Sequence, residues 1–158
     1  MRASGKPLVM ILGALVLLAA LAFAACDDDE DGGGDGGTTV DVILSEWVVD
    51  PDVTSVPAGD VTFVANNEGV DDHELVIVKT DLSADALPTD DTGKVDEEGE
   101  GIEVIGEIEE FATGGSEEAT FNLPAGSYVL FCNIVEEEES GETESHYQEG
   151  MHTAFTVE

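Results

Sequence analysis

Positive charge is almost missing from this chain: four Lys or Arg stand against 37 Asp or Glu in 158 residues. Two of the four, Arg2 and Lys6, precede every acid, so beyond Cys26 only Lys79 and Lys94 remain. A surface this acidic repels phosphate and excludes nucleic acid and anionic substrates as partners. It suits solubility at high salt or the steering of a basic partner, and the spread of acids along the chain favours solubility. Soft and imidazole side chains are also scarce, with two cysteines, three methionines and three histidines. The length allows one domain of ordinary size and not two large cores.

Long apolar runs are confined to the start. Residues 1–25 carry Arg2 and Lys6, no acid, and then a small and apolar run from Leu8 to Ala25 that stops at Cys26. This reads as an export signal. Phe23-Ala24-Ala25-Cys26 resembles a bacterial lipobox, in which the cysteine is acylated and becomes the mature N-terminus. A retained transmembrane anchor and plain secretion are the alternatives, the run being near the lower length limit for a span. All three place the rest of the chain outside the cytoplasm. Residues 26–39 are rich in Asp and Gly and have almost nothing to bury, so they read as a tether.

From Val40 to Glu158 the signals are those of strands. Val40, Val42 and Leu44 alternate with Asp41, Ile43 and Ser45, and Val61, Phe63 and Ala65 with Thr62, Val64 and Asn66. Pro57-Ala58-Gly59-Asp60 and Pro124-Ala125-Gly126 are turns, and Asn66-Asn67-Glu68-Gly69 breaks the second of these strands. His73 opens the apolar run Leu75-Val76-Ile77-Val78. Thr120 to Leu123, Ser127 to Cys132 and His152 to Val157 are further strands. Short strands with Pro/Gly turns predict an all-β, antiparallel Greek-key sandwich. Residues 81–115 fit least well. Asp85 to Gly101 reads as a polar surface loop, and apolar residues at 102, 104, 105, 108 and 111 fit a short helix better than a strand.

Cys132, His146 and Met151 fall within twenty residues of one another, and His73 heads a distant strand. A thiolate, two imidazoles and a thioether are the donors of a mononuclear site that cycles between Cu(I) and Cu(II). If Cys26 is acylated, Cys132 is the only thiol left, and Met151 is the only methionine after the signal. A lone exported cysteine needs a reason to persist. The bland alternatives are an inert buried thiol or a Cys26–Cys132 disulfide. His152, next to Met151, points to the opposite face in an extended strand. Glu136 to Glu139 lack the ordered oxygen spacing of a hard-cation site and read as a solvated loop.

These stretches resemble the cupredoxins, the plastocyanin-like blue copper proteins. Asn66-Asn67-Glu68-Gly69 followed by His73 is similar to the family's paired asparagines, short loop and first histidine ligand. Gly126-Ser127-Tyr128-Val129-Leu130-Phe131-Cys132 resembles the strand that delivers the cysteine. His146-Tyr147-Gln148-Glu149-Gly150-Met151 repeats the family's spacing from second histidine to methionine. The resemblance implies a cupredoxin-like sandwich over residues 40–158 with one short helical or irregular insertion. It also implies one type 1 copper ion, with His73, Cys132 and His146 equatorial and Met151 axial.

The chain departs from the family pattern at two points. Thirteen residues separate Cys132 from His146 where the family has a few, an extension costing only about 1.3 kcal/mol in closure entropy. Glu74 stands where an asparagine commonly ties the two ligand loops together, and an ionised glutamate cannot donate that hydrogen bond.

One ligand-loop cysteine excludes a binuclear purple-copper centre, and three histidines are too few for a multicopper oxidase or a nitrite reductase. The expectation is a monomeric, lipid-anchored, extracytoplasmic carrier of one electron between membrane-associated redox partners that dock through a basic patch, and not an enzyme. A copper-delivery protein and a metal-free structural or interaction module are the alternatives.

Overall fold

The computed structural model describes residues 37–137 and 141–158. The export signal, Cys26 and its acylation, the tether up to residue 36, and Glu138 and Glu139 lie outside the described residues.

Eleven strands and one helical turn are described in chain order. They are β1 (Thr38–Ser45), β2 (Val48–Pro51), β3 (Ser55–Val56), β4 (Gly59–Asn67), β5 (His73–Lys79) and β6 (Glu103–Phe111). Then follow β7 (Ser116–Leu123), β8 (Gly126–Phe131), β9 (Val135–Glu137), β10 (Thr143–Ser145), α1 (His146–Glu149) and β11 (His152–Val157). One sheet has the order β2-β1-β4-β7 and the other β3-β11-β8-β5-β6, with β9 and β10 forming a separate hairpin. The all-β sandwich is therefore as expected. Its ladders are not all antiparallel, because β1 runs parallel to β4 and β11 parallel to β3. β1 also starts at Thr38, so the last two residues of the expected tether are strand, paired with Val61 and Thr62 of β4.

The alternation in the sequence becomes the inner face of the first sheet. Val40, Val42, Leu44, Val61, Phe63 and Ala65 are fully buried, and Leu75, Ile77, Tyr128, Leu130 and Phe155 meet them from the second. Burying side chains of this kind contributes roughly 1.5–3 kcal/mol each. The unbroken apolar runs of β5 and β8 have another cause. These neighbouring strands are covered on both faces, so Val76, Val78, Val129 and Phe131 form a second cluster with Leu87, Val95 and Tyr147. Residues 80–102, which join β5 to β6, thus do more than loop over the surface: Leu87 and Val95 pack against the back of the sheet, and Thr89 bridges to Val95.

The helix expected over 102–111 is the edge strand β6. Its ladder with β5 slips twice, between the pairs His73↔Phe111 and Leu75↔Ile108 and again between Ile77↔Gly106 and Val78↔Val104. Each slip inserts one extra residue in β6, a bulge that breaks the two-residue period. Ile105, Ile108 and Phe111 consequently reach the core at a spacing of three, which in sequence imitates a helix. The exposed glutamates of the edge strands β6 and β7 discourage pairing with another chain.

Candidate metal centre

Strand register brings the candidate ligands to one end of the second sheet. β5 and β8 are antiparallel, so His73 at the start of one lies near Cys132 just past the end of the other. β11 is antiparallel to β8 as well, with His152 opposite Phe131, and the Cys132 N–H donates to the Met151 carbonyl at 3.0 Å. α1 closes the arrangement. Ser145 caps it by accepting from Gln148 N at 3.2 Å, and the Met151 N–H donates to the His146 carbonyl at 2.9 Å. Gly150, at φ 124°, ends the turn in the left-handed region that favours glycine.

His73, Cys132, His146 and Met151 are each fully buried. One donor atom from each of His73, Cys132 and His146 lies within 4.8 Å of the other two. His73 Nδ1 is 3.3 Å from His146 Nδ1, and Cys132 Sγ is 3.4 Å from the same nitrogen. An ion held in a trigonal plane by bonds of about 2.0–2.3 Å sets its donors roughly 3.5–3.7 Å apart. The observed spacings are a few tenths of an ångström shorter, so a first-row metal fits with little adjustment. The His73, Cys132 and His146 donors face one another, and thiolate, imidazole and thioether together suit copper.

Burial is the largest influence on the site's titration. It pushes the Cys132 thiol up to about 12, against backbone hydrogen bonds from Glu74 and Ile134 that favour the thiolate. Burial and the neighbouring His146 hold His73 below its ordinary value, opposed by the carboxylate of Glu46. The thiol stays protonated until a cation takes its place, so metal uptake releases a proton.

The loop before His73 is wound around two side chains. Asn67 donates through Nδ2 to the carbonyls of Asp71 (2.8 Å) and Phe111 (3.2 Å) and accepts from Gly69 N at 3.0 Å. Glu46, in the β1–β2 turn, accepts from Val70 N at 2.6 Å and Asp71 N at 3.0 Å. These bonds, the one from Asp71 foremost, lower its carboxyl to about 2. The same oxygen lies 3.4 Å from His73 Nε2, at ion-pair distance but without hydrogen-bond alignment. Gly69 passes so close that an added Cβ would lie 2.7 Å from His73 Nε2. Trp47 meets the His146 ring edge-on, with centroids 5.2 Å apart.

Glu74 holds the cysteine side, in the reverse sense from the asparagine it replaces. Instead of donating, it accepts from Asn133 N at 3.0 Å, and burial raises its carboxyl to about 7.

The structure thus brings His73, Cys132 and His146 together with Met151 packed beside them. Cys132 is a free thiol. His152 is not in the cluster; its ring lies tilted against Tyr147, centroids 5.0 Å apart, and lines a cavity with Asp85 and Gln148. The sequence reading passed over Glu46 and Trp47. Trp47 is the chain's only tryptophan, a signal that was available, whereas nothing distinguishes Glu46 among so many acids.

No protein-family model and no curated protein matches the chain. Among solved structures, it is similar to a sodium-dithionite-reduced auracyanin from the photosynthetic bacterium Roseiflexus castenholzii. That match is 26% identical over 78% of this chain and 99% of the other, with a TM-score of 0.51. Auracyanin A, described as a "blue" copper protein of Chloroflexus aurantiacus, is 21% identical over 78% of this chain and all of its own, with a TM-score of 0.50. Auracyanin B is 20% identical, covers 77% of this chain and 88% of its own, and has a TM-score of 0.51. With its two sheets and its buried His-Cys-His set beside a methionine, the chain is a cupredoxin in fold, and its cluster fits one type 1 copper ion.

Proposed function

We propose that this chain is a blue copper protein that carries one electron between membrane-associated redox partners, held outside the cytoplasm by a lipid on Cys26. The observation that carries the reading is the convergence of the Cys132 sulfur and the two imidazole Nδ1 atoms, fully buried with Met151 beside them. The R. castenholzii neighbour, reduced by dithionite, supports a redox role. In this reading His73, Cys132 and His146, with Met151 beside them, are the residues that would hold the metal. Copper, when bound, supplies a one-electron couple between Cu(I) and Cu(II).

The chain's own part is to keep the donors still and dry. His73 and Cys132 are fixed by the ends of two paired strands, and His146 and Met151 by a capped helical turn. Donors that move little between oxidation states keep reorganisation small, which suits a carrier rather than an enzyme. Among the described residues no helix is long and apolar enough to cross a membrane. Anchoring in this reading falls to the N-terminal segment, and the acidic surface favours partners with a basic patch.

The test is the absorption spectrum of the purified domain with Cu(II). The wild type is expected to show the intense visible band of a thiolate–copper bond, and Cys132→Ser to lose it entirely. A Cys132→Ser protein that stayed blue would sink the ligand assignment. Ready surrender of Cu(I) to a weak chelator would turn the reading from carrier to copper delivery.

A further inference from the structure

Both residues that follow the loop-side donors, Asn133 after Cys132 and Tyr147 after His146, are bonded to the same distant segment, residues 84–97. Asn133 is buried and accepts from Val95 N at 2.6 Å, while its Nδ2 donates to the Val95 carbonyl (3.2 Å) and to Glu97 Oε1 (2.8 Å). Tyr147 donates its hydroxyl hydrogen to the Ala84 carbonyl at 2.7 Å and accepts from Leu87 N at 2.8 Å. Ser145, on the other side of His146, donates to the Gly93 carbonyl at 2.8 Å while capping α1. The fit is close at this point, since a Cβ on Gly93 would lie 2.6 Å from Gln148 Cδ.

The segment is itself braced. Asp90 N–H donates to the Lys94 carbonyl and Asp96 N–H to the Pro88 carbonyl, and the Asp90 carboxylate accepts from Thr92 and Lys94. Its apolar residues Leu87 and Val95 are anchored in the second core cluster. By contrast, the direct chain between Cys132 and His146 leaves the site as a hairpin and returns. Its arms are paired from Val135↔Ser145 outward and the His146 N–H donates to the Ile134 carbonyl at 3.0 Å, so the bonds to residues 84–97 are a second fastening beside that ladder.

We propose that residues 84–97 are a clamp that positions Cys132 and His146, with Asn133, Ser145 and Tyr147 as its positioning residues. The proposal rests on the copper site argued above. The clamp touches no donor atom; it fixes the backbone on either side of the donors, so that thiol and imidazole stay within a few tenths of an ångström of their places. Outer partners of metal ligands commonly govern affinity by about 10–100-fold when removed.

Three variants test it: Asn133→Ala, Ser145→Ala and Tyr147→Phe, the last keeping the ring and its packing. Each is expected to weaken Cu(I) in a chelator competition, by about 10–100-fold for Asn133→Ala and about tenfold for the others. Each should also shift the visible band and speed amide exchange over residues 143–150 in the metal-free protein by more than it lowers global stability. Ser145→Thr, which keeps the hydroxyl, is expected to restore the wild-type values. A blue wild type whose three variants kept its spectrum, affinity and local exchange would overturn the clamp alone. A wild type that never turned blue would overturn the copper site and the clamp with it.

Discussion

His73 and Cys132 stand at facing ends of β5 and β8, neighbours in one sheet, whereas His146 and Met151 bracket a single helical turn that follows a hairpin. The first pair is placed first of all by a backbone ladder and by burial of the strands that carry it, with Asn67, Glu46 and Asn133 fastening the chain just outside those strands. The second is placed by side-chain bonds to residues far away in sequence; Tyr147 and Ala84 are 63 positions apart. Copper chemistry asks the same stillness of all four donors. The fold meets that demand once with regular structure and once with polar contacts, and the two kinds of support should fail differently.

The largest expected effect comes from breaking the asparagine fastening of the loop before His73, on the sheet-built half. Asn67→Ala removes three hydrogen bonds that wind the 68–72 loop against Phe111, and it strands a buried glycine N–H and two carbonyls. At roughly 0.5–1.5 kcal/mol net per bond, the loss is about 2–4 kcal/mol in a denaturant midpoint. His73 sits beyond that loop, so copper binding should weaken in the same protein. An unchanged midpoint would mean that the ladder and Glu46 hold the loop without Asn67.

A smaller effect separates the two carboxylates that flank the donors. Glu74 titrates near 7 in the fold against an ordinary 4.5, because burial outweighs the N–H it accepts from Asn133. A raised carboxyl contributes stability that is complete below about 4.5 and is lost as the pH climbs through 7. Over that window the metal-free protein should lose on the order of 1–3 kcal/mol from this group, and Glu74→Gln should flatten the slope. Glu46, lowered to about 2 by the N–H groups of Asp71 and Val70, runs the other way: its contribution holds above about 4.5 and fades as the pH falls towards 2. Unfolding curves for Glu74→Gln and Glu46→Gln across this range check both signs. Parallel slopes for the wild type and Glu74→Gln would show that Asn133 keeps Glu74 ionised.

The same division explains what could be read from sequence. Strands whose side chains alternate between core and solvent, such as Val40-Val42-Leu44 and Val61-Phe63-Ala65, announce themselves. So does the doubly covered run 75–78, and with these the ends that carry His73 and Cys132. β6 was misread because its two bulges replace a period of two by one of three. The stretch 85–101 is the largely exposed loop its polarity predicts, but its bonds to Asn133, Ser145 and Tyr147 were not legible, because no local pattern encodes a partner some forty to sixty positions away. Glu74 was expected to fail as a tie because it cannot donate; the fold needed an acceptor there.

The smallest effect concerns the β9–β10 hairpin, the acidic detour between the two loop-side donors. Glu136 and Glu137 lie within five residues of Cys132, and Glu136 pairs across the hairpin with Glu144, one residue short of Ser145 and the His146 turn. Negative charge near the metal favours Cu(II) over Cu(I). At about 10 Å in water each charge contributes roughly 0.4 kcal/mol, so the pair contributes at most about 0.8 kcal/mol. For one electron that is on the order of 35 mV. The Debye length is about 10 Å at 0.1 M salt and about 3 Å at 1 M, so the effect should be visible at low ionic strength and nearly gone at high. Changing Glu136 and Glu137 to glutamine is therefore expected to raise the midpoint potential by about 10–35 mV at low salt, measured by redox titration of the visible band. It should slow reduction by a basic partner more than by an uncharged reductant. Equal potentials at low salt, with slower reduction by the basic partner alone, would mean that the hairpin points away from the metal and acts in docking, leaving the tuning of the site to the residues that pack against its histidines.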